Sequence, residues 1–309
     1  IRPGTEVIEN AGGLHSFSGW NRNILTDSGG YQVFSLARLR TIGPEGVRFQ
    51  SHIDGAYHTF TPESVVDTQH SLGSDILMPL DVCTPPGIDK KDAVEALATT
   101  TEWARRSRSR LRTYEGFYGR LFGIIQGNFF PDLRKRSAEE INGLDFPGIA
   151  VGGLSVGEEP AQYHDFLALT AEFLPAEKPR YVMGIGTPEY VLSAVENGID
   201  IFDCVFPTRI ARNSSVFTRR GVLSLKKEEN LFDTGPIDPD CTCPVCRRYS
   251  RSYLRHLFKV KEILGPMLAT EHNLYFFHRF MKDVRDSIDR GNFTRFKREF
   301  SSLYSEGPI

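Results

Sequence analysis

The chain has 309 residues and a mass of 34.8 kDa, with 37 basic and 39 acidic side chains and a formal net charge of −2. Hydrophobic residues make up 40% and charged residues 25%, the balance of a globular protein, which excludes a disordered tail, a collagen-like repeat and a disulfide miniprotein. No stretch reaches the ~18 apolar residues of a membrane span, and near-neutrality means that any nucleic-acid site has to be local.

The chain opens Ile1-Arg2-Pro3-Gly4, with neither an initiator methionine nor a cationic segment followed by an apolar one. It reads as a trimmed or processed piece of a longer protein, or one completed by a second piece. An odd count of five cysteines argues against a disulfide framework, so a reduced, cytoplasmic protein is expected. Length alone fits two domains or one large α/β barrel with an appendage.

Short apolar runs alternate with helical stretches as far as residue ~205. The runs are Asn23–Thr26, Asp75–Leu80, Arg120–Ile125, Gly148–Val151, Arg180–Met183 and Asp200–Phe202. After the first run, Val47–Ile53 and Ala56–Phe60 flank Asp54-Gly55, the pattern of a β-hairpin with a two-residue turn. Thr61-Pro62 then caps a short helix. A longer helix opens at Asp89 and carries Val94, Leu97, Ala98, Thr101, Ala104 and Leu111 on one face. Pro131–Asn142, Pro160–Phe173 and Pro188–Asn197 each place a proline in the first helical turn. Strand–helix alternation predicts a parallel sheet with right-handed crossovers.

The strand ends carry the functional signal. In order they finish at Asp27, Asp81, Gln126, Gly152-Gly153, Gly184 and Asp203. In a (β/α)8 TIM barrel such ends converge on the rim that holds the active site. A doubly wound sheet would concentrate its site at one switch point, and its Gly-x-Gly-x-x-Gly mark is absent. The predicted fold is therefore an α/β (β/α)8 TIM barrel. Six strands are visible, so the first two are expected to be missing from this chain, upstream of Ile1. The expected domains are a barrel over 1–222, a zinc-binding subdomain over 223–280 and C-terminal helices over 281–309 packing back on the barrel.

Cys241, Cys243 and Cys246 form C-x-C-x-x-C. Thiolates this close suit a tetrahedral soft-ligand site, read as one structural zinc ion. His272 is the best fourth ligand, with His256 and His278 as weaker alternatives. Cys83 and Cys204 are isolated and read as small buried side chains.

A strand-end aspartate flanked by bulky apolar residues is expected to be partly desolvated, which tunes its pKa. Any one of Asp27, Asp81 and Asp203 could be a helix cap. Three on one rim, with Gln126 and a glycine pair between them, point to chemistry instead. Two carboxylates can serve an anomeric carbon as nucleophile and acid/base. A third, beside an amide and bare backbone N–H groups, suits a planar purine edge, which Tyr31 and Met183 could sandwich. Arg209 and Arg212 follow the Asp203 strand, and Arg247, Arg248, Arg251, Arg255, Lys259 and Lys261 follow the cysteines. A solvated helix face is the plain reading of such clusters. Adjacency to the cysteines and the carboxylates makes a local phosphate-binding surface the expectation. Arg105–Arg112, late in a helix on the outer wall, reads as plain surface.

These residues resemble the bacterial tRNA-guanine transglycosylases (queuine tRNA-ribosyltransferases) over the whole chain. The resemblance rests on Thr26-Asp-Ser-Gly-Gly-Tyr-Gln-Val33, Leu80-Asp-Val-Cys-Thr-Pro85, Gly123-Ile-Ile-Gln-Gly127, Ala150-Val-Gly-Gly-Leu154, Met183-Gly-Ile-Gly186, Phe202-Asp-Cys-Val-Phe-Pro-Thr-Arg209 and the C-x-C-x-x-C…His set. It implies a barrel with a zinc subdomain, whose first strands would precede Arg2-Pro3-Gly4. It implies exchange of guanine at the wobble position of an anticodon for a 7-deazaguanine base, by ping-pong double displacement. By motif match Asp203 would be the nucleophile and Asp27 the general acid/base. Asp81, Gln126 and the Gly153 backbone would read the purine edge, with Tyr31 and Met183 stacked on the ring. The Leu154-Ser155 peptide, adjusted by Glu158, would sense the 7-substituent. Cys83 and Val156 match a pocket for a small 7-aminomethyl group rather than the larger cyclopentenediol of queuine. Cys241, Cys243, Cys246 and His272 would hold zinc, Arg209 and Arg212 would meet the tRNA anticodon loop, and the tRNA-binding form would be a homodimer. Two positions depart from the pattern: Asn128 where a second glycine is usual, and Phe34 where a methionine is common. The rival readings are a catalytically silent tRNA- or partner-binding paralogue, the archaeal enzyme acting elsewhere in tRNA, and a small-molecule barrel hydrolase.

Overall fold

The computed structural model describes residues 2–30, 40–51 and 55–305. The chain divides into two compact units, Ile1–Met183 with Asn197–Ile201, and Gly184–Glu196 with Phe202–Ile309.

The first unit begins with two short helices, α1 (Thr5–Asn10) and α2 (Gly13–Ser18), then β1 (Leu25–Thr26). An antiparallel meander follows, made of β2 (Arg40–Gly43), β3 (Gly46–Gln50) and β4 (Tyr57–Phe60). The expected hairpin is its second half, with Val47 opposite Phe60 and Gln50 opposite Tyr57. Residues 52–54 of its turn lie outside the described residues. The strand β2 was not foreseen, because four residues without clear alternation leave no periodic signal.

From there strand and helix alternate: α3 (Pro62–Leu72), β5 (Ile76–Leu77), α4 (Lys90–Leu111), β6 (Arg120–Leu121), β7 (Gly123–Ile125), α5 (Pro131–Gly143), β8 (Ile149–Val151), α6 (Pro160–Ala171) and β9 (Arg180–Val182). The pairs β1–β5, β5–β6, β7–β8 and β8–β9 are all parallel. The expected single strand Arg120–Ile125 is divided at Phe122. Its first half pairs with β5 and its second with β8, and Phe122 N–H donates to Leu77 O at 3.0 Å. Ile201, the first residue of β10 (Ile201–Phe202), extends the sheet beyond β9. Within each parallel sheet the strands thus follow chain order, β1–β5–β6 in one and β7–β8–β9–β10 in the other, without the reversal that makes a switch point. The fold is α/β with parallel sheets. A closed eight-strand ring is not seen among the described residues.

The strand Asp75–Leu80 is shorter than expected for a specific reason. Buried Gln69 of α3 accepts Met78 N–H at 3.0 Å and donates to Met78 O at 2.8 Å, replacing a strand neighbour just past Leu77. The helix α3 starts with a reciprocal cap between Thr61 and Ser64, has Pro62 in its first turn and stops at Gly73 with φ 69°. In α4 the buried face is Ala93, Leu97, Thr100, Thr101, Trp103, Ala104 and Ser107. This is rotated from the expected stripe: Ala98 is exposed, and Trp103 turns inward to donate to Pro44 O at 2.9 Å. Met78, Phe122, Ile124, Ala150 and Tyr181 form the core beneath the sheet.

The second unit contains α7 (Pro188–Glu196), α8 (Phe206–Arg212), the hairpin β11 (Ser215–Thr218) and β12 (Gly221–Ser224), then α9 (Pro244–Arg248), α10 (Arg251–Lys259), α11 (Leu264–Asp289) and α12 (Phe293–Ser305). Its core has two parts. Leu223, Val245, Leu254, Leu257 and Leu268 pack around Cys243. Val191, Leu192, Phe217, Phe276, Phe280 and Tyr304 gather the aromatic residues of α11 and α12. Buried Asn273 ties α11 to its neighbours, donating to Pro207 O at 2.9 Å and accepting Phe217 N–H at 2.9 Å. Among the described residues no helix is long and apolar enough to cross a membrane.

Candidate active site and metal centre

In the first unit the ends of β5, β7 and β8 bring Asp81, Gln126 and the Gly152-Gly153 pair together. Asp81 is 8% exposed and accepts a hydrogen bond from Gln126 Nε2 at 2.7 Å. Burial, with the nearby negative charge of Asp27, pushes its carboxyl up to about 7 against the opposing pull of Gln126. Gln126 Oε1 is buried and, among the described residues, has no partner. The glycine pair is required by this amide. A Cβ on Gly152 would stand 2.6 Å from Gln126 Nε2, and one on Gly153, where φ is 66°, only 2.4 Å from Oε1. A Cβ on Gly30 would meet Asp81 Oδ1 at 2.5 Å, so a side chain there would displace that carboxylate.

The carboxylates differ in setting. Asp27 is exposed, with Oδ1 accepting Ser28 N–H at 2.8 Å. In the second unit Asp203 is exposed too, and its Oδ1 accepts Gly184 N–H at 2.6 Å. The expected desolvation therefore holds for Asp81 and not for Asp27 or Asp203. The large neighbours of Asp203 do not cover it: Val205 and Phe206 are themselves exposed. Cys83 is buried as expected, and burial with the Asp81 charge pushes its thiol up to about 12. Cys204 is only half-buried, its sulfur accepting Phe206 N–H at 3.3 Å. Leu154 is buried, and Met183 is half-buried against the sheet core. The Glu158 carboxylate accepts the Ser155 N–H and, at 2.8 Å, the Val156 N–H, so it grips the peptide after Leu154. Tyr31 and Phe34 lie outside the described residues.

Two positioning side chains were not anticipated. Gln69 makes four bonds: beyond Met78 N and O, it accepts the Thr26 hydroxyl at 2.8 Å and donates to Val65 O at 3.2 Å. It thereby brackets the strand ends that lead to Asp27 and Asp81. Arg134 is completely buried and donates to Asn128 O, Gly152 O and Gly153 O at 2.8, 2.7 and 3.1 Å. In sequence both are polar residues in amphipathic helices, where the solvated face is the natural reading, so no local signal marks them.

In the second unit Cys241, Cys243, Cys246 and His272 could hold a metal ion, their ligand atoms lying within 4.8 Å of one another. His272 Nδ1 is 3.8, 3.4 and 3.3 Å from the three sulfurs. Its other ring nitrogen, Nε2, donates to Phe217 O at 2.7 Å, which leaves the Nδ1 lone pair for a metal. Cys243 Sγ also accepts Cys246 N–H at 3.2 Å.

Arg209 and Arg212 are exposed on α8, as are Arg247, Arg248, Lys259 and Lys261 further along. Arg251 and Arg255 are used structurally, Arg251 against Asp233 at 3.0 Å and Ile237 O, and Arg255 against Lys227 O. The Arg105–Arg112 run is not plain surface: Arg106 grips Glu63 at 2.7 and 2.8 Å and Arg110 grips Asp67, clasping α4 to α3.

The family profile described as queuine tRNA-ribosyltransferase matches residues 1–306. The chain is 52% identical over 310 residues to the queuine tRNA-ribosyltransferase of Borrelia duttonii (strain Ly), covering all of this chain and 83% of that protein. It is 51% identical over 305 residues to that of Treponema denticola, covering 98% and 80%. It is 51% identical over 308 residues to that of Solidesulfovibrio magneticus, covering 99% and 82%. With the profile and these relatives spanning nearly every residue, the chain belongs to the queuine tRNA-ribosyltransferase family of transferases.

Proposed function

We propose that this protein exchanges guanine at the wobble position of tRNA (Asp, Asn, His, Tyr) for 7-aminomethyl-7-deazaguanine in queuosine synthesis. The observation that carries the reading is the buried Asp81–Gln126 pair, whose Gln126 Oε1 has no partner among the described residues. A buried carboxylate and amide beside glycine backbone groups offer what a purine edge with both donors and acceptors requires.

In the first displacement the Asp203 carboxylate attacks the anomeric carbon, and the C–N bond to guanine breaks. Asp27, as general acid, protonates the departing base. In the second, Asp27 takes the proton from the incoming base, which attacks the same carbon and releases Asp203. Asp81, Gln126 and Gly153 read the purine edge, and Tyr31 and Met183 stack on it. Leu154-Ser155, with Glu158, senses the 7-substituent, for which Cys83 and Val156 leave a small pocket. Arg209 and Arg212 meet phosphates of the anticodon loop.

Cys241, Cys243, Cys246 and His272 hold one structural zinc ion. Zn–S bonds of ~2.3 Å and a Zn–N bond of ~2.0 Å place sulfur and nitrogen roughly 3.5 Å apart in a tetrahedron, near the 3.3 to 3.8 Å separations of His272 Nδ1. With all four positions filled by protein, zinc supplies cross-linking rather than catalysis. The working form is a homodimer in the cytoplasm.

The test is exchange of radiolabelled guanine into a tRNA with a G-U-N anticodon. Wild-type exchange that is lost in Asp203→Asn supports the reaction and the nucleophile. Zinc-loaded wild-type protein that binds tRNA without exchanging guanine would instead favour a silent tRNA-binding relative.

A further inference from the structure

Arg134 presents an uncommon situation, a fully buried guanidinium whose hydrogen bonds, among the described residues, all go to backbone carbonyls. Burial lowers it to about 10, so it stays a cation at neutral pH. The Glu158 carboxylate favours the cation only from a distance, so burying this charge calls for strong compensating contacts.

Its three acceptors connect two loops. Asn128 O belongs to the turn after β7, and Gly152 O and Gly153 O belong to the turn after β8. Asn128 adds the third. It adopts φ 51°, a left-handed conformation that asparagine tolerates better than most residues. Its Nδ2 donates to Thr84 Oγ1 at 2.8 Å and to Pro85 O at 2.9 Å, in the loop after β5 that contains Cys83. Its Oδ1 accepts Phe129 N–H at 2.8 Å. Thr84, Asn128 and Arg134 are all buried. The loops that follow Asp81, Gln126 and the glycine pair are therefore registered by one guanidinium and one amide.

The pairing also orients peptides. C=O and N–H point in opposite directions across a trans peptide. With Gly152 O and Gly153 O turned toward Arg134, the N–H groups of Gly153 and Leu154 turn away from it.

We propose that Arg134, acting with Asn128, is a positioning residue for the base pocket, setting the spacing of its three loops and the aim of the Gly153 and Leu154 N–H groups. Asn128 is thus not a neutral departure from glycine but the residue that carries the hub to the Cys83 loop. The proposal rests on the base-exchange reading above.

Asn128→Gly keeps the left-handed backbone and removes the bonds to Thr84 and Pro85. Arg134→Lys keeps the charge but replaces a fork with a single ammonium. Guanine and tRNA are each varied in steady-state exchange, and zinc content and thermal melting are recorded for each variant. The expected result is a rise of about tenfold in the guanine KM of Asn128→Gly, with the tRNA KM within twofold of wild type; Arg134→Lys shows a larger rise. A guanine KM unchanged in Asn128→Gly overturns the proposal, as does a lowered melting temperature with both KM values at wild type. Failure of the underlying reading looks different, because wild type itself then exchanges no guanine. Calorimetric titration with guanine alone decides in that case: binding by wild type that weakens in Asn128→Gly upholds the hub, and no binding by wild type rejects it.

Discussion

Replacing Asp81 by asparagine tests the electrostatics of the pocket without reference to turnover. The side chain is 8% exposed and its carboxyl lies at about 7 rather than 3.8, chiefly because burial penalises the charged form. The folded protein therefore holds the proton more tightly than the unfolded chain does. The favourable contribution of protonated Asp81 is complete below pH ~4 and is lost as pH rises through about 7. The displacement corresponds to about 4 kcal/mol at most, reached above pH ~8. Asparagine is close in shape and never ionises. Asp81→Asn should therefore gain stability relative to wild type as pH rises from 4.5 to 8.5, the difference widening by about 3 kcal/mol, or roughly 5 °C in melting temperature. The assay is thermal melting of both proteins in a series of buffers, with urea midpoints as a second measure. A difference between the two proteins that stays constant across this range would refute the reasoning, because it would mean that Asp81 ionises at no expense to the fold.

Three further outcomes follow from the geometry. Cys246→Ser should lower the bound metal below one per chain and destabilise the second unit by several kcal/mol, since Cys243 and Val245 of the same site belong to its core; metal analysis with melting checks this. Gly30→Ala, whose Cβ would stand 2.5 Å from Asp81 Oδ1 and displace that carboxylate, should weaken guanine exchange while leaving the metal content unchanged. Gln69→Met should cost about 2–4 kcal/mol, because Met78 N–H and C=O lose their partners in the interior; urea unfolding measures it, and the isosteric Gln69→Glu should not restore wild-type stability.

Much of the candidate site was legible because its signals are local. Three cysteines within six residues are held close by chain connectivity, whatever the rest of the fold does. The alternation of strand and helix, the prolines in first turns and the polar residues that end strands are likewise short-range patterns, and the order of the parallel strands follows from them. The motifs around Asp27, Asp81, Gln126, Gly153 and Asp203 carried the family resemblance on their own.

What the sequence could not convey depends on which distant residues come together. Asp27, Asp81 and Asp203 look alike along the chain, each at a strand end. Only the neighbours supplied by other segments leave Asp81 buried and the other two exposed. Gln69 and Arg134 occupy amphipathic helices where a polar residue normally faces water. They turn inward because Met78, Thr26, Gly152 and Gly153, 9 to 43 residues away, offer them backbone and hydroxyl partners in the interior. The buried face of α4 rotates because Trp103 finds Pro44 O, 59 residues earlier. Periodicity reports the geometry of one element at a time. Burial, partner choice and the pKa of a carboxylate are set by long-range contacts, so tertiary structure decided them.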